Sequence, residues 1–473
     1  MTYAEYLDNA VARWPDRVAL HFDDDSWSYR RLHDAVRAAA ARLAIAGVGE
    51  GTHVLLLVEN CPEYLIAQFA LARLGAVFVT PNPYWTDTEV EHAAQATDSR
   101  AAVYGPRFAE FASGLDVAVP VGELLAATAV DGVTGTRRQP DSPLYIPFSS
   151  GTTGLPKGVV HTDASLCGGV EQLRHHLRLT KDDRLQVALP LCHIFGATMS
   201  AAAISVGAEL TLFQRFDLDE SLRHIQQAGV TVWPMAGTVA HQLAGRTDLN
   251  PSMFASLRFF MWGGSAVPAE LAGTITERTG VGFLCSYGMT EAMLVAFNPV
   301  ERPSVWRLDS PGYATHGTTL RLGISGELEV RGPSVAVGYA GADSGAFSDD
   351  GWFRTGDLAR IDPDGRLWIV DRIKDMLKVS GFQVAPAQVE MVLREHPAVA
   401  DACVVGRPDS RTGEAAVAFV VAHSGSLTAD DLNSWAATRL ATYKLPREYR
   451  FVPALPRTPA GKLQRSKLRA LAQ

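Results

Sequence analysis

The sequence lacks the features that mark several large classes of protein. Its 473 residues include only five cysteines, which are scattered and never form a CxxC pair. This argues against a cysteine zinc site and predicts reduced thiols. No charge-free apolar stretch approaches the length of a membrane span, and the N-terminal segment carries acidic residues where a signal peptide would not. We therefore expect a cytoplasmic protein without a membrane span.

The sequence is also poor in positive charge. It has 43 basic and 51 acidic residues, giving a formal net charge of −8. A general nucleic-acid or anionic-membrane binder is disfavoured, because both partners require a basic face. A local basic site for a small phosphorylated ligand is still permitted. The length exceeds that of one ordinary core, so two or three domains are expected.

What the chain does contain is an alternation of helical and strand patterns. Apolar residues recur at helical spacing over 28–46, 62–74, 161–177 and 218–228, and short apolar runs at 54–58, 76–80, 185–189 and 231–234 indicate buried parallel strands. Glycine-punctuated strands follow from about residue 326. We expect an α/β fold: a large N-terminal domain (1–371) of parallel sheets with flanking helices and a small β-barrel-like subdomain, then a small α+β C-terminal domain (372–473).

Residues 149–158 read SSGTTGLPKG, a run that cannot build an apolar core. A predicted strand at 144–148 precedes it, and a predicted helix after residue 160, capped by Thr162 or Asp163, follows it. Backbone N–H groups, hydroxyls and the Lys157 ammonium suit a phosphate, whereas the alternative is a solvated polar loop. The Walker-type nucleotide loop is disfavoured because no hydroxyl residue follows Lys157.

A second motif, SYGMTEA (286–292), brings an aromatic, a glycine, a hydroxyl and a carboxylate together. In this motif Tyr287 can border a nucleotide base, Thr290 can donate to a phosphate, and Glu291 can hold Mg²⁺. The alternative is a structural turn.

Two further motifs lie towards the C-terminus. Asp357 in RTGDL and Arg372 after the LWIV strand can bind a ribose; the alternative is a hairpin turned at Asp364-Gly365 with a surface salt bridge. PRTPAGKLQRSKL presents Lys462, and the alternative there is a solvated basic tail.

Seven segments in this order resemble the adenylate-forming superfamily, which includes acyl- and aryl-CoA synthetases, firefly luciferase and peptide-synthetase adenylation domains. They are FSSGTTGLPKGV, LPLCHIFGA, SYGMTEA, GELEVRGP, RTGDL, VDRIKDMLKVSGFQVAPAQVE and PRTPAGKLQRSKL. The resemblance runs from about residue 10 to the end. It implies an acid–thiol ligase that forms acyl-AMP from ATP and a carboxylic acid, releases pyrophosphate, and then makes a thioester of coenzyme A. The alternative is a stand-alone adenylating enzyme that passes acyl-AMP to a carrier protein or a separate partner.

The resemblance also implies residue roles. It makes Lys462 catalytic with Thr290 and Glu291, Glu291 being the Mg²⁺ ligand, and it assigns the hinge to Lys374 and the thiol tunnel to Ser380 and Gly381. In the family the C-terminal domain rotates after adenylation. Relatives often carry lysine where Ser380 stands, which weakens the tunnel assignment. The implied β- and γ-phosphate residues are Ser149, Ser150, Gly151, Thr152, Thr153 and Lys157, and the AMP residues are Gly264, Ser286, Tyr287, Gly288, Asp357, Arg372, Lys378 and Gln383.

The acid-binding positions are informative through what they lack. Amino-acid-activating relatives place an aspartate in the region of CHIFGATMSAA, which has no acid, and malonate-activating relatives place an arginine beside YGMTE, where Ser286 stands. The aspartate of Phe216-Asp217 is better read as a helix cap. An apolar, alicyclic or aryl acid is therefore expected; the alternative for several of these residues is core packing. The predicted pocket comprises His193, Ile194, Phe195, Met199, Trp233, Gly263, Gly288 and Met293.

A non-catalytic nucleotide sensor with this fold is a further alternative. It predicts the loss of Lys462, Glu291 or Lys157, and all three are present.

Overall fold

The computed structural model describes residues 1–125, 139–149, 156–235, 237–264, 267–341, 345–380, 382–423, 427–457 and 463–473. The elements of the first half are α1 (Tyr3–Arg13), β1 (Val18–Phe22), β2 (Asp25–Ser28), α2 (Tyr29–Ile45), β3 (His53–Leu57), α3 (Pro62–Leu74), β4 (Val77–Thr80), α4 (Asp87–Ala96), β5 (Ala101–Tyr104), α5 (Ala109–Ala112), β6 (Val117–Pro120), β7 (Pro143–Ser149), β8 (Lys157–Thr162), α6 (Asp163–His176), β9 (Arg184–Val187), α7 (Ile194–Val206), β10 (Glu209–Leu212), α8 (Leu218–Ala228) and β11 (Val232–Met235).

The elements that follow are α9 (Gly237–Ala244), β12 (Phe259–Trp262), α10 (Ala269–Thr279), β13 (Phe283–Met289), β14 (Ala292–Phe297), β15 (Gly312–Ala314), β16 (Thr319–Leu322), β17 (Glu327–Arg331), β18 (Gly338–Tyr339), β19 (Phe353–Ile361), β20 (Arg366–Arg372), β21 (Leu377–Val379), β22 (Phe382–Val384), α11 (Pro386–Arg394), β23 (Val399–Asp409), β24 (Gly413–Ala422), α12 (Ala429–Ala437), β25 (Glu448–Phe451) and α13 (Arg465–Ala472). No helix in these described ranges is long and apolar enough to cross a membrane.

The chain forms two compact units. The first comprises Met1–Thr319 and Val330–Phe353, and the second comprises Leu320–Glu329 and Arg354–Gln473. The sequence predicts a domain boundary at residue 371, after which the C-terminal domain is expected to rotate. That boundary stays a prediction.

One sheet of the first unit has the order β18-β8-β7-β4-β3-β5-β6. The strands from β7 to β6 are parallel, as the alternating pattern predicts, and β8 adds antiparallel to β7. The sequence expectation of a glycine-rich loop leading straight into a helix is wrong here. Residues 157–162 form β8, and the helix begins only at Asp163, where the Thr162 side chain accepts a hydrogen bond from Ser165 N.

The other sheet of the first unit runs β15-β14-β13-β12-β11-β9-β10-β1-β2. Its strands from β13 to β1 are parallel, and β14 folds back antiparallel on β13. Strand β13 continues through the SYGMTEA motif to Met289, so most of that motif lies in a hairpin.

The main core lies between the two sheets. Helices α3 and α7 are apolar on all sides and almost entirely buried, which is the pattern of a helix covered on every face. One continuous cluster joins Phe69 of α3 and Ala201 of α7 to Phe78 in the first sheet and to Val187 and Met261 in the second. Helices between the sheets therefore fix the position of one sheet against the other.

The second unit contains the strand order β16-β17-β19-β20 and the sheet β22-β21-β24-β23, with β25 alongside β24. Side chains of β23 alternate between two cores. Val404 packs with α11 and α12, whereas Val405 packs with α13. This two-faced sheet confirms the expected α+β character of the C-terminal region.

Several helix boundaries follow directly from local sequence signals. Helices α3 and α8 occupy the predicted residues, and α8 begins where the Asp217 side chain accepts a hydrogen bond from Glu220 N at 2.8 Å. The reading of Asp217 as a helix cap is therefore confirmed. Gly75 ends α3 in the left-handed conformation (φ 72°), which favours glycine.

Two glycines of α10 provide a matched test of the local backbone. Gly273 lies within the helix, and beyond the adjoining helix backbone no described atom comes within 4 Å of the place that an alanine methyl would take. Gly273→Ala should therefore raise the free energy of unfolding by about 0.5–1 kcal/mol. Gly280 caps the helix at φ +71°, so Gly280→Ala should lower that free energy by about 1–2 kcal/mol. Urea unfolding of both variants measures the two changes, and changes of the same sign would contradict this assignment.

Candidate active site

The stems of the predicted phosphate segment are two paired strands. Ser149, the last residue of β7, lies opposite Lys157, the first residue of β8. Both side chains are partly exposed. The predicted site residues Ser150, Gly151, Thr152 and Thr153 lie outside the described residues. The hairpin register therefore sets the separation of the two described phosphate-site candidates.

The second motif forms the tip of the β13–β14 hairpin. Met289 pairs with Ala292, so Thr290 and Glu291 form the two-residue connection. Ser286, Tyr287 and Gly288 precede them in β13, all partly exposed. A Cβ on Gly288 would lie 2.2 Å from the Met293 carbonyl oxygen, so only glycine allows this approach of the strands. The turn reading is correct, and the turn presents the two candidate catalytic side chains.

Tyr339 connects the two motifs. Its hydroxyl donates to Glu291 Oε1 at 2.9 Å, and its ring centroid lies 5.3 Å from Lys157 Nζ. Tyr339 belongs to β18, which pairs with β8. The phosphate-segment lysine and the candidate magnesium carboxylate therefore contact one side chain. Sequence reasoning missed Tyr339, although it ends a GY pair shortly after the GELEVRGP segment.

His161 contacts the backbone of the same hairpin. Its Nε2 donates to the Thr290 carbonyl oxygen at 2.7 Å, and its Nδ1 lies 3.2 Å from Ser165 Oγ. Complete burial lowers the pKa of His161 to about 4, so the ring is neutral at pH 7. This residue was also missed, because a histidine in an apolar strand carries no signal that separates support from simple packing.

Asp357 and Arg372 are brought together in the second unit. They are cross-strand partners in the β19–β20 hairpin, with Arg372 Nε 2.6 Å from Asp357 Oδ1. Asp357 is buried whereas Arg372 is half exposed. Gly356 precedes Asp357 at φ +72°, and its N–H donates to Glu327 Oε1 at 2.9 Å. The hairpin and its salt bridge are real, and they hold an ordered carboxylate next to a guanidinium.

The remaining nucleotide-site candidates of this unit also form a cross-strand pair. Lys378 of β21 lies opposite Gln383 of β22, and both are exposed. Between them Ser380 adopts φ +52°, a left-handed conformation that is uncommon for a residue with a side chain. Lys374 lies in a single helical turn just before β21. Gly381 and Lys462 lie outside the described residues.

Part of the predicted acid pocket assembles where α7 meets the second sheet. His193 is the residue before α7, and Phe195 lies in its first turn. A Cβ on Gly263 would lie 3.1 Å from Ser286 Oγ and 3.8 Å from the Phe195 ring, so these three residues are neighbours. Ser286 Oγ also donates to the Trp262 carbonyl oxygen at 3.0 Å. Gly264, which follows, is exposed at φ +83°.

Other predicted pocket residues are buried in separate clusters. Met199 and Ile194 belong to the main core, and Met293 packs against its edge. Trp233 lies in a second cluster, whereas its neighbour Val232 belongs to the main core, so Trp233 faces the opposite side of the sheet. Met199 and Trp233 are thus not neighbours, and their role in acid binding stays a prediction.

Comparisons with known proteins agree with these motifs. Residues 7–340 match the family model described as AMP-binding enzyme, and residues 388–462 match the AMP-binding enzyme C-terminal domain. The chain is 33% identical to 4-coumarate–CoA ligase 3 of Oryza sativa subsp. japonica, covering 99% of this chain and 92% of that protein. It is 34% identical to indoleacetate–CoA ligase of Aromatoleum aromaticum, covering 100% and 98%.

A solved structure extends the likeness to the whole fold. The o-succinylbenzoate CoA synthetase of Bacillus subtilis, in complex with its acyl-adenylate intermediate, superposes with a TM-score of 0.88 at 29% identity, covering 98% of this chain and 97% of that chain.

The burial of His161 predicts a measurable pH dependence. Its folded pKa of about 4 lies below the ordinary value of 6.5, so its stabilising contribution is complete above pH 6.5 and is lost as the pH falls towards 4. The full loss amounts to about 3 kcal/mol. His161→Gln keeps an N–H donor but does not titrate, so its unfolding free energy should fall less over this range. An unchanged slope in urea unfolding would contradict the prediction.

Proposed function

The chain belongs to the AMP-binding, adenylate-forming enzyme family, of acyl-CoA synthetase type, and we propose that it is a coenzyme A ligase. Its proposed substrate is an apolar, alicyclic or aryl carboxylic acid, which it activates and transfers to coenzyme A. In the first half-reaction the acid attacks the α-phosphorus of ATP, giving acyl-AMP and pyrophosphate. In the second half-reaction the thiol of coenzyme A displaces AMP.

The observation that carries this proposal is the meeting of Lys157 and Glu291 at Tyr339. An ammonium group stands at the stem of a glycine-rich segment, and a carboxylate stands at a hairpin tip anchored through the same tyrosine. This combination suits a polyphosphate, because the ammonium neutralises phosphate charge while the carboxylate can share a cation with it. We assign Lys157, Ser149, Ser150, Gly151, Thr152 and Thr153 to the β- and γ-phosphates.

The residues present also fit a magnesium ion. Tyr339 occupies Oε1 of Glu291, and a carboxylate carries a second oxygen of the kind that Mg²⁺ prefers. When bound, the ion would neutralise charge on the phosphates of ATP.

Adenylation brings one anion to another, so the site must stabilise charge where it develops. We propose that Lys462 supplies this charge between the substrate carboxylate and the α-phosphate, with Thr290 donating to the same phosphate. His161 acts through Thr290, since its hydrogen bond fixes the hairpin carbonyl and hence the orientation of the turn.

The ribose is proposed to bind at Asp357. A carboxylate can accept hydrogen bonds from both ribose hydroxyls, and the salt bridge with Arg372 orients Asp357. Tyr287, Ser286, Gly264 and Gly288 are assigned to the adenine end, and Lys378 and Gln383 to the remaining contacts of AMP. Lys374 is proposed as the hinge about which the domain from 372 to 473 rotates, with Ser380 and Gly381 at the thiol tunnel.

The acid class follows from the absence of charge among the candidate pocket residues. His193 and Phe195 lie at the N-terminal end of α7, Gly263 follows β12, and Met293 lies in β14. No predicted pocket position carries a carboxylate to pair an amine or a guanidinium to pair a second carboxylate. The two relatives named above act on 4-coumarate and indoleacetate, both aryl acids, which supports this choice. A carrier-protein thiol is the alternative acceptor.

The phosphate assignment of Lys157 gives a half-reaction test. Lys157→Ala should slow adenylation and weaken ATP use while sparing thioester formation from pre-made acyl-AMP. Lys462→Ala should reduce adenylation by about 10²–10³-fold. Lys181→Ala, which removes an exposed lysine paired with Asp182, is the matched control and should change neither step. Equal loss of both half-reactions in Lys157→Ala would contradict the assignment.

A pyrophosphate-release screen tests the substrate class. With ATP and Mg²⁺, at least one aryl, alicyclic or fatty acid should release pyrophosphate, whereas malonate and amino acids should not, because the pocket offers them no partner charge. Consumption of coenzyme A with the active acid supports the ligase. Adenylation without a CoA ester would favour transfer to a carrier protein, and no release with any acid would contradict the proposed function.

A further inference from the structure

We propose that a chain of charges in the second unit positions the segment that carries Lys462, so that its members are positioning residues for adenylation. The catalytic meaning of this charge chain rests on the proposed function. The charge chain consists of Arg457, Asp401, Arg394, Glu390, Arg465 and Asp375, in alternating sign, and each neighbouring pair is in contact.

The two stems of the lysine segment are joined to each other. The Gln464 N–H donates to the Pro456 carbonyl oxygen at 2.9 Å, and Arg457 and Leu463 form an antiparallel bridge. Residues 456–457 and 463–464 therefore form a paired base on either side of the lysine segment. The proposed positioning of Lys462 therefore depends on what holds that base.

The charge chain holds the first stem. Arg457 Nη2 lies 2.5 Å from Asp401 Oδ2, and Asp401 Oδ1 accepts from Arg394 Nε at 3.0 Å. Arg394 also donates to the Ala402 carbonyl oxygen at 2.5 Å. The stem is thereby attached to both α11 and β23.

The contacts of the charge chain with the second stem are more buried than those with the first stem. Arg465 forms a two-pronged pair with Glu390, at 2.5 and 2.9 Å, and donates to the Val404 carbonyl oxygen at 2.8 Å. The side chains are 18% and 3% exposed. Glu390 Oε1 also accepts from Val404 N. Because Arg465 is the first residue of α13, this pair fixes where the helix begins, three residues after Lys462.

The same charge chain reaches the proposed hinge. Asp375, which follows Lys374, accepts from Arg469 Nη2 at 2.5 Å and lies 3.8 Å from Arg465 Nε. Arg394 closes the middle of the chain at 3.5 Å from Glu390 Oε2. The hinge turn and both stems of the lysine segment therefore share one set of contacts.

Stability alone is a poor reason for such a charge chain, because burying charges costs desolvation that apolar packing would avoid. Directional, charge-assisted bonds do fix geometry, and α13 already packs through Leu468 and Ala472. A displacement of about 1 Å at a reacting group can cost up to 10²-fold in rate. Loosening the base should therefore impair adenylation, which uses Lys462, and spare thioester formation.

The test uses the first stem, whose members are partly exposed and so tolerate substitution. Arg457→Gln and Asp401→Asn each remove one charge of a pair that is 30% and 18% exposed. Arg407→Gln is the matched control, because it breaks a pair with Glu448 of similar exposure (34% and 32%) in the same sheet, away from the lysine segment. The measurements are the two half-reactions, hydrogen–deuterium exchange over 456–464, and thermal unfolding.

We expect the adenylation kcat to fall about 10-fold or more in both single variants, with the KM for ATP unchanged. The double variant should be no worse than Asp401→Asn, because that variant already removes the charge that Arg457 contacts. Exchange over 456–464 should accelerate, Arg457→Lys should restore part of the rate, and thioester formation from acyl-AMP should stay within about twofold. Arg407→Gln should change none of these quantities.

Unchanged exchange over 456–464 would overturn the charge chain as a clamp, whatever the activity. Faster exchange with full adenylation, or equal loss of both half-reactions, would overturn its positioning role. Failure of the wild-type protein to form acyl-AMP with any acid would instead overturn the proposed function, and the exchange result would still decide whether the clamp exists.

Discussion

The N-terminal half of the candidate site depends on one side chain, Tyr339, which contacts a cation through its ring and an anion through its hydroxyl. These two contacts use different parts of the residue, so Lys157 and Glu291 are each held without requiring a direct ion pair. The tyrosine is placed by sheet register: Tyr339 pairs with Val159, and Lys157 pairs with Ser149. Two strand pairings thus set the distance between the phosphate segment and the tyrosine that binds the carboxylate. The helices buried between the sheets also hold the hairpin that carries Glu291 in place relative to these strands.

Much of this architecture can be predicted from the sequence, and the elements that were predicted wrongly have physical reasons. Periodicity located helices such as α3 and α8, because their faces and their caps are local signals. Strand β8 was missed because two of its six residues are lysine and glycine, and its identity comes from pairing with β7. The sequence also did not predict that Met199 and Trp233 lie in separate clusters. A strand buried on both faces shows no alternation that would reveal which side a residue occupies.

The second unit combines two demands that conflict in most small domains. The domain proposed to rotate must be rigid, yet the segment proposed to carry its catalytic lysine lies close to the C-terminal end of the chain, where packing is usually weakest. Apolar packing of α13 against β23 supplies cohesion, and the charge pairs of Arg465 and Asp375 supply direction. Burial makes these charges expensive, and it also makes their geometry strict. This combination of a desolvation cost with a fixed geometry suits a segment whose placement matters more than its contribution to stability.

The candidate nucleotide and acid residues are arranged differently, which explains why the pairing of the nucleotide candidates follows from short motifs whereas the neighbours of the acid candidates do not. Ser149 with Lys157, Asp357 with Arg372, and Lys378 with Gln383 are cross-strand pairs within hairpins, and Thr290 with Glu291 forms a hairpin tip. Each pair is close in sequence, so a short motif specifies both its members and their geometry. The acid-site candidates come instead from α7, β11, β13 and β14 and from the residues next to α7 and β12, which are far apart in sequence and meet through sheet pairing and tertiary packing. Candidates such as Phe195 and Trp233 lie outside the hairpins, so a change of side chain there leaves the hairpins unaltered. Such an arrangement allows one nucleotide site to serve many acids, and it leaves the identity of the acid to the packing between elements.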